Sequence, residues 1–264
     1  MISLTLENFR ALTRQGNLIP VFKEIDLDYD NPLSILKKIS SKKHCFLLES
    51  SAGPEKWSQY SFLGFDPTLI ISSDQNQVII KSREGKVEKS NGDIFLKLKK
   101  IMQTFNPVKI NNLPRFYGGL VGFFSYEIIN QIENITEEQH GQADFPDSLF
   151  MLTDSVIIFD NINKTAKIVI NVHIKDNKTY KTSYKKALQQ ISKIEDLLKS
   201  SKKNPYKEVA KFSKTTNPIK SNFTKSNFLN AVKKIKKYVR AGDVIQTVVS
   251  QRWETKYQDD PINL

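Results

Sequence analysis

Glu49 and Ser50 close the apolar run His44-Cys-Phe-Leu-Leu-Glu-Ser50, so a carboxylate and a hydroxyl stand where a hydrophobic segment meets polar chain. Such a pair can bind a ligand ammonium, or it can cap the turn that follows. Near the other end, Val244 to Trp253 alternates in type and reads as a strand, in which side chains two apart share a face. Gln246, Val248, Ser250 and Arg252 then point one way, and Ile245, Thr247, Val249 and Trp253 the other. Arg252 with Ser250 could grip a carboxylate bidentately or join a structural network. Gln246 could face a ligand, or be a solvated or core-bonded glutamine. Gly118-Gly119 and Gly122 suggest a phosphate loop only by composition. Their spacing is neither Gly-x-Gly-x-x-Gly nor a P-loop, and no Lys-Ser or Lys-Thr follows. Close backbone packing of a core strand beside Phe123, Phe124 and Tyr126 accounts for them more simply. Cys45, the only cysteine, lies in the same apolar run as Glu49 and reads as a core thiol.

The bulk properties narrow the classes. A chain of 264 residues with 39% hydrophobic and 10% aromatic content can bury a sizeable core. One cysteine and three histidines, His44, His140 and His173, form no spaced zinc set. No apolar run reaches the ~18–20 residues of a membrane span, and Met1 to Arg14 lacks a secretory pattern. A cytoplasmic protein without a membrane partner is expected. The formal charge of +12 raises nucleic acid as a partner. The lysines are scattered, densest between Lys175 and Lys237, and do not interleave with aromatics, so solvated helix faces explain them and no nucleic-acid partner is expected.

The elements that must position these residues follow from periodicity and caps. Asp30-Asn31-Pro32 starts a short helix to about Ser40, and His44–Ser50, read as a buried strand, and Trp57–Phe65 are strands around the turn Ser51-Ala-Gly-Pro-Glu55. Leu69–Ser73, Val78–Ser82 and Lys86–Lys89 form a meander, followed by a helix from Asn91-Gly-Asp93 that Pro107 ends. Phe150–Asp160 and Thr165–Ile174 read as one hairpin around Asn161-Ile-Asn-Lys164. Tyr180–Lys199 is helical by spacing. Ser200–Ser221, rich in Lys, Ser, Asn, Thr and Pro, is the linker. A final helix runs from an N-cap at Thr224 to a left-handed cap at Gly242.

Four stretches in this order resemble the large subunit of anthranilate synthases. They are Leu47-Leu-Glu-Ser50 with Tyr60-Ser61 and Gly64-Phe-Asp-Pro67; Gly118-Gly-Leu-Val-Gly-Phe-Phe-Ser-Tyr-Glu127; Phe145-Pro-Asp147 leading to Phe159-Asp160; and Ser221-Asn-Phe-Thr224 running to Ala241-Gly-Asp-Val-Ile-Gln-Thr-Val-Val-Ser-Gln-Arg-Trp253. The resemblance implies an α+β fold, mainly antiparallel sheets packed as a β-sandwich with flanking helices. It implies a framework and regulatory domain over residues 1–200, a linker over 201–221, and the start of a chorismate-binding catalytic domain over 222–264. It reaches only the first half of the family's pattern, so the chain is expected to be an amino-terminal portion, inactive alone.

The resemblance also assigns roles. Ser50, with Glu49, lines a pocket for tryptophan as feedback effector; the Gly118–Gly122 segment, read above as framework, could stand near it. Gln246 stands where relatives that add water to chorismate carry a lysine base. An amide cannot activate water at neutral pH, whereas ammonia brings its own lone pair. The implied reaction joins ammonia to chorismate and releases pyruvate and anthranilate. Mg2+ would be held by glutamates outside this chain, and ammonia would come from a glutamine amidotransferase subunit. The related aminodeoxychorismate synthase of the folate pathway, and a non-catalytic effector-binding module, are the alternatives.

Overall fold

The structure, a computed structural model, describes residues 2–27, 30–39, 44–49, 59–133, 145–199, 218–257 and 262. Chain contacts divide the protein into a unit spanning Met1–Asn204 and a unit spanning Pro205–Leu264. Of the expected linker, residues 201–217 lie outside the described residues.

In the first unit Thr5 caps a short helix, α1 (Leu6–Leu12), by accepting the Asn8 N–H. β1 (Leu18–Asp26), α2 (Pro32–Ile39), β2 (Cys45–Leu48) and β3 (Tyr60–Phe65) follow. β4 (Leu69–Asp74), β5 (Gln77–Ser82) and β6 (Val87–Asn91) make the expected meander. The Asp93 carboxylate accepts the N–H groups of Phe95 and Leu96 and so starts α3 (Ile94–Gln103). β7 (Gly119–Phe124), a 3-10 turn over Tyr126–Gln131, β8 (Ser148–Thr153), β9 (Ser155–Asp160), β10 (Thr165–His173) and α4 (Tyr180–Lys199) complete the unit. The strands form two antiparallel five-stranded sheets, ordered β1-β10-β9-β3-β2 and β6-β5-β4-β8-β7. This is the α+β class with antiparallel sheets and flanking helices that the sequence implies.

The core sits between sheet and helices. Ile191, Ile194 and Leu198 recur every three or four residues along α4 and bury against Ile19, Leu63, Phe159 and Ile168 of the first sheet, joined by Phe9 of α1 and Ile35 of α2. On the opposite face Phe22, Val156, Ile158 and Val169 are covered by Leu113, Phe116 and Tyr117. Both faces of β9 are thus buried, which is why Ser155–Asp160 reads as continuous apolar chain. In the second sheet Ile71 and Val78 pack on Ile94 and Leu98 of α3.

Two expectations about this unit are corrected, and one strand is added. The apolar stretch leading to Asp160 is not one arm of a hairpin: it breaks at Asp154, leaving β8 in the second sheet and β9 in the first. The segment His44–Ser50 is not a fully buried strand. β2 is the edge of its sheet, with Leu48 44% exposed. β1 was not anticipated, because Pro20 interrupts its pattern. Asn171 gives its N–H to the Asp154 carbonyl (2.7 Å), on the side away from β1. The Pro20–Asn171 pair is therefore a non-hydrogen-bonded one, and the missing donor of Pro20 faces outward from the edge.

The chain passes between the sheets twice, at Asp66–Thr68 and at Asp154, and Arg83 holds both passages. Its guanidinium grips the Asp154 carboxylate with two hydrogen bonds of 2.7 and 3.2 Å, donates to the Asp66 carbonyl, and lies 3.7 Å from the Asp66 carboxylate. Asp66 takes a left-handed backbone (φ 52°), which Asp tolerates better than most residues. Partial burial works against the Arg83 charge, but the hydrogen bonds to Asp154 and the negative charges of Asp154, Asp66 and Glu84 together outweigh it and raise its pKa.

The second unit holds β11 (Lys220–Ser221), α5 (Lys225–Ala241) and β12 (Trp253–Glu254). Thr224 accepts the Asn227 N–H and Gly242 (φ 82°) closes the helix, as the sequence predicts. The apolar stripe of α5 meets no core: none of its residues is buried. The clasp generates a prediction. Arg83→Met should lower unfolding free energy in urea by about 2 kcal/mol, and Arg83→Lys should recover only part of it because an ammonium cannot fork. Unchanged stability in Arg83→Met would show that the clasp is passive.

Candidate functional site

Glu49 follows the last paired residue of β2, one position beyond the Leu48–Phe62 pair, and is exposed. Ser50 lies outside the described residues. Phe46 of β2 lays its ring over Gly64 of β3, where a Cβ would come within 2.2 Å of the ring. That contact explains the glycine in Gly64-Phe-Asp-Pro67 and fixes the register that carries Glu49 to the sheet end. Cys45, half-buried in the same strand, packs against the main core, and burial pushes its thiol pKa up. The core reading of Cys45 therefore holds.

The sheet end beside Glu49 is built by Tyr60, Ser61, Asp160 and Asn161. Asp160, 6% exposed, accepts from the Ile162 and Asn163 N–H groups (3.1 and 2.9 Å), the Asn163 amide (2.9 Å) and the Gln59 amide (3.4 Å). Asn161 donates to the Ser61 hydroxyl at 3.0 Å. Desolvation raises the Asp160 pKa, but the hydrogen bonds outweigh it and hold the carboxyl below its usual range. Its lone pairs are committed to the β9–β10 turn. The Phe159-Asp160 part of the motif is thus structural, and it anchors the platform from which Glu49 projects.

Gln246 is in the other unit and is exposed. The expected strand from Val244 to Trp253 is reduced to the pair Trp253–Glu254, which bonds with Lys220–Ser221. A strand needs a neighbouring backbone, and among the described residues Val244–Arg252 is anchored at its end alone: the Arg252 carbonyl accepts the Asn222 N–H (3.2 Å), the Arg252 N–H donates to the Asn222 side chain, and the Gln251 amide donates to the Ser221 hydroxyl. Without a ladder, the alternation of faces predicted for Gln246, Ser250 and Arg252 is not imposed. Arg252 pairs with Glu254 at 2.8 Å, which makes it part of a local network.

The glycine segment is framework, as expected, but two details differ. A Cβ on Gly122 would stand 1.9 Å from the Leu149 carbonyl, so β7 and β8 approach as only glycine allows. Phe123, Phe124 and Tyr126 are 43%, 40% and 91% exposed, an aromatic ridge on an edge strand rather than in a core. Gly119 pairs with Thr153, at the Asp154 end of the fold. By strand register that end lies roughly 16 Å along the strand direction from Glu49. Gly119 is therefore not beside Glu49. Sequence reasoning also missed the Arg83 clasp: Asp66 entered only within a motif, and the Arg83–Asp154 pair spans 71 positions and leaves no local signal.

A family model for chorismate binding enzymes matches residues 43–264. The chain belongs to the chorismate binding enzyme family. More particularly, it is 34% identical over 263 residues to anthranilate synthase component 1 of Acetivibrio thermocellus and 33% identical over 265 residues to that of Aquifex aeolicus, covering 98% and 100% of this chain. It spans about half the length of these curated relatives, 53% in each case. The crystal structure of anthranilate synthase component I from Streptococcus pneumoniae superposes with a TM-score of 0.60 at 19% identity, over 90% of this chain and 50% of that one, which establishes the shared fold.

The Asp160 network predicts an acid-sensitive platform. Because its folded-state pKa is depressed, Asp160 contributes stability that is complete above the unfolded value of ~3.9 and is lost as pH falls through the lower folded value. Thermal melts of Asp160→Asn should show lower stability near neutral pH and a flatter decline in acid. A parallel decline in both proteins would rule this role out.

Proposed function

We propose that this chain is the framework and regulatory portion of an anthranilate synthase large subunit, cytoplasmic, which joins ammonia to chorismate and releases anthranilate and pyruvate. The observation that carries the proposal is the similarity to anthranilate synthase component 1 proteins along practically the whole chain. The identity of Gln246 supports it. Ammonia needs no base to expose its lone pair, so an amide at that position suits ammonia and not water as nucleophile. Gln246 would then orient or polarise the incoming group, while an aromatising elimination provides the driving force.

Glu49 and Ser50 are proposed to bind tryptophan as feedback effector. Glu49, exposed at the end of β2, offers a carboxylate suited to an ammonium, and the Ser50 hydroxyl would complete the contact. Ammonia is proposed to come from a glutamine amidotransferase subunit. The half-buried Cys45, with its raised pKa, is not suited to be the thiolate for that hydrolysis. Magnesium would polarise chorismate in the whole protein. Among the described residues no three His, Cys, Asp or Glu side chains converge, so none is assigned to the metal and no step is routed through it. No described helix is long and apolar enough to cross a membrane.

The complete polypeptide supplied with chorismate, ammonium and magnesium should form fluorescent anthranilate. Accumulation of aminodeoxychorismate instead would transfer the protein to the folate branch, and absence of any amine product would contradict the proposal. In the complete protein, Ser50→Ala should raise the tryptophan concentration for half-inhibition by about tenfold, the loss of one hydrogen bond to a charged group. Unchanged inhibition would remove Ser50 from the effector site.

A further inference from the structure

The two five-stranded sheets end in the edge strands β1, β2, β6 and β7, and all but the last are guarded. β1 carries Pro20 and the charges Lys23 and Glu24, β2 is only four residues long, and β6 carries Glu88 and Lys89. Short length, proline and charge are the features that keep an exposed row of backbone groups from pairing with another chain. β7 has none of them. Its sequence, Gly119-Leu-Val-Gly-Phe-Phe124, contains neither charge nor proline, and among the described residues no strand pairs with it on the side away from β8.

The register determines which groups of β7 face outward. Ser125 donates its N–H to the Asp147 carbonyl at 2.7 Å, in line with the β7–β8 pairing, so the alternate residues Val121 and Phe123 bond to β8. The N–H and C=O groups of Leu120, Gly122 and Phe124 therefore point away from it. The close approach at Gly122 agrees, because the narrower spacing belongs to a pair that exchanges no hydrogen bonds, here Gly122 with Phe150. The Phe124 ring is fixed between Phe95 and Phe150, with centroids 4.9 and 4.7 Å away. Phe123, Phe124 and Tyr126 together present roughly 350 Å2 of aromatic surface to solvent, a patch of the size often given over to contact with another protein.

We infer that β7 is the edge on which a second copy of this chain docks, by antiparallel pairing of β7 with β7 across a two-fold axis. Such a pairing must join the outward residues to one another, and the register centred on Gly122 does so along Leu120–Phe124. Gly122 meets the partner's Gly122 at the axis, Leu120 lies opposite the partner's Phe124, and Val121 lies opposite the partner's Phe123. Every pair flanking the axis thus sets an aromatic ring against an aliphatic side chain, and aromatic rings opposite β-branched residues are among the favoured cross-strand pairs. β7 supplies its own complement, which makes a second copy the occupant rather than an unrelated strand. Because the strand is uncharged, its pairing brings no like charges together, which matters for two chains of formal charge +12. Leu120 packs on the cluster of Ile71, Val78, Ile94 and Leu98, so the pairing extends that core across the axis. The rings of two copies and the paired backbone bury on the order of 1,000 Å2, the lower limit for a specific interface, so the dimer is weak.

Sedimentation equilibrium of the 264-residue chain should give a dimer with a Kd on the order of 10 µM. Phe123→Lys places an ammonium opposite the partner's Val121 and should weaken the dimer by about tenfold or more, while the melting temperature of the dilute chain stays close to that of the parent. Val121 and the partner's Phe123 form a pair without hydrogen bonds, with Cα atoms about 4.5 Å apart and within disulfide reach. A mixture of Val121→Cys and Phe123→Cys chains should therefore oxidise to a cross-linked dimer much faster than either variant alone. A chain that stays monomeric at millimolar concentration, a dimer indifferent to Phe123→Lys, or cross-linking no faster in the mixture would each overturn the inference. So would slow hydrogen exchange at Leu120, Gly122 and Phe124 in the dilute monomer, which would mean that another part of the chain already covers this edge.

Discussion

The bidentate pairing of Arg83 with Asp154 is the constraint on which the arrangement of the first unit depends. Two sheets that share a chain must exchange it somewhere, and here they do so at Asp66–Thr68 and at Asp154. Backbone hydrogen bonds stitch the same place: Thr68 N–H to Leu152, Arg83 N–H to Thr68, and Asn171 N–H to Asp154. A guanidinium presents several donors in a fixed plane, so one side chain can serve a carboxylate on one passage and a carbonyl on the other. With the passages fixed, β8 and β9 must lie in different sheets. A cavity then follows as the space left between the ends of β1, β8 and β10 and the end of α3.

The opposite end of the first sheet obeys a different logic. There the polar groups are satisfied, Asp160 by the β9–β10 turn and Ser61 by Asn161, and what projects is Glu49. One end is thus a platform whose described polar groups are paired, and the other opens into a cavity walled by Leu18, Tyr117 and His173 among others.

Elements with local causes were legible in the sequence. α4 and α5 announced themselves by spacing, and α3 and α5 by the caps Asp93, Thr224 and Gly242. The meander β4–β6 was legible from its turn residues. The break at Asp154 was not, because a run apolar on both faces carries no mark of where it leaves one sheet for another. β1 was hidden by Pro20, whose tolerance depends on an edge position visible only in three dimensions. The site was less legible still. Glu49 could be located by its motif, but the Arg83 clasp and the hydrogen bond from the Asn171 amide to the Tyr117 carbonyl join residues 71 and 54 positions apart. Gln246 was expected on a strand face, yet a strand face exists only where a neighbouring backbone supplies the ladder.

Amide hydrogen exchange tests the role of the clasp most directly. If Arg83 joins the two sheets into one cooperative body, the amides of Thr68, Arg83 and Asn171 should exchange only through global unfolding, and all three should lose protection together in Arg83→Met. Protection that persists in the variant, or three amides that open independently in the parent protein, would contradict this account.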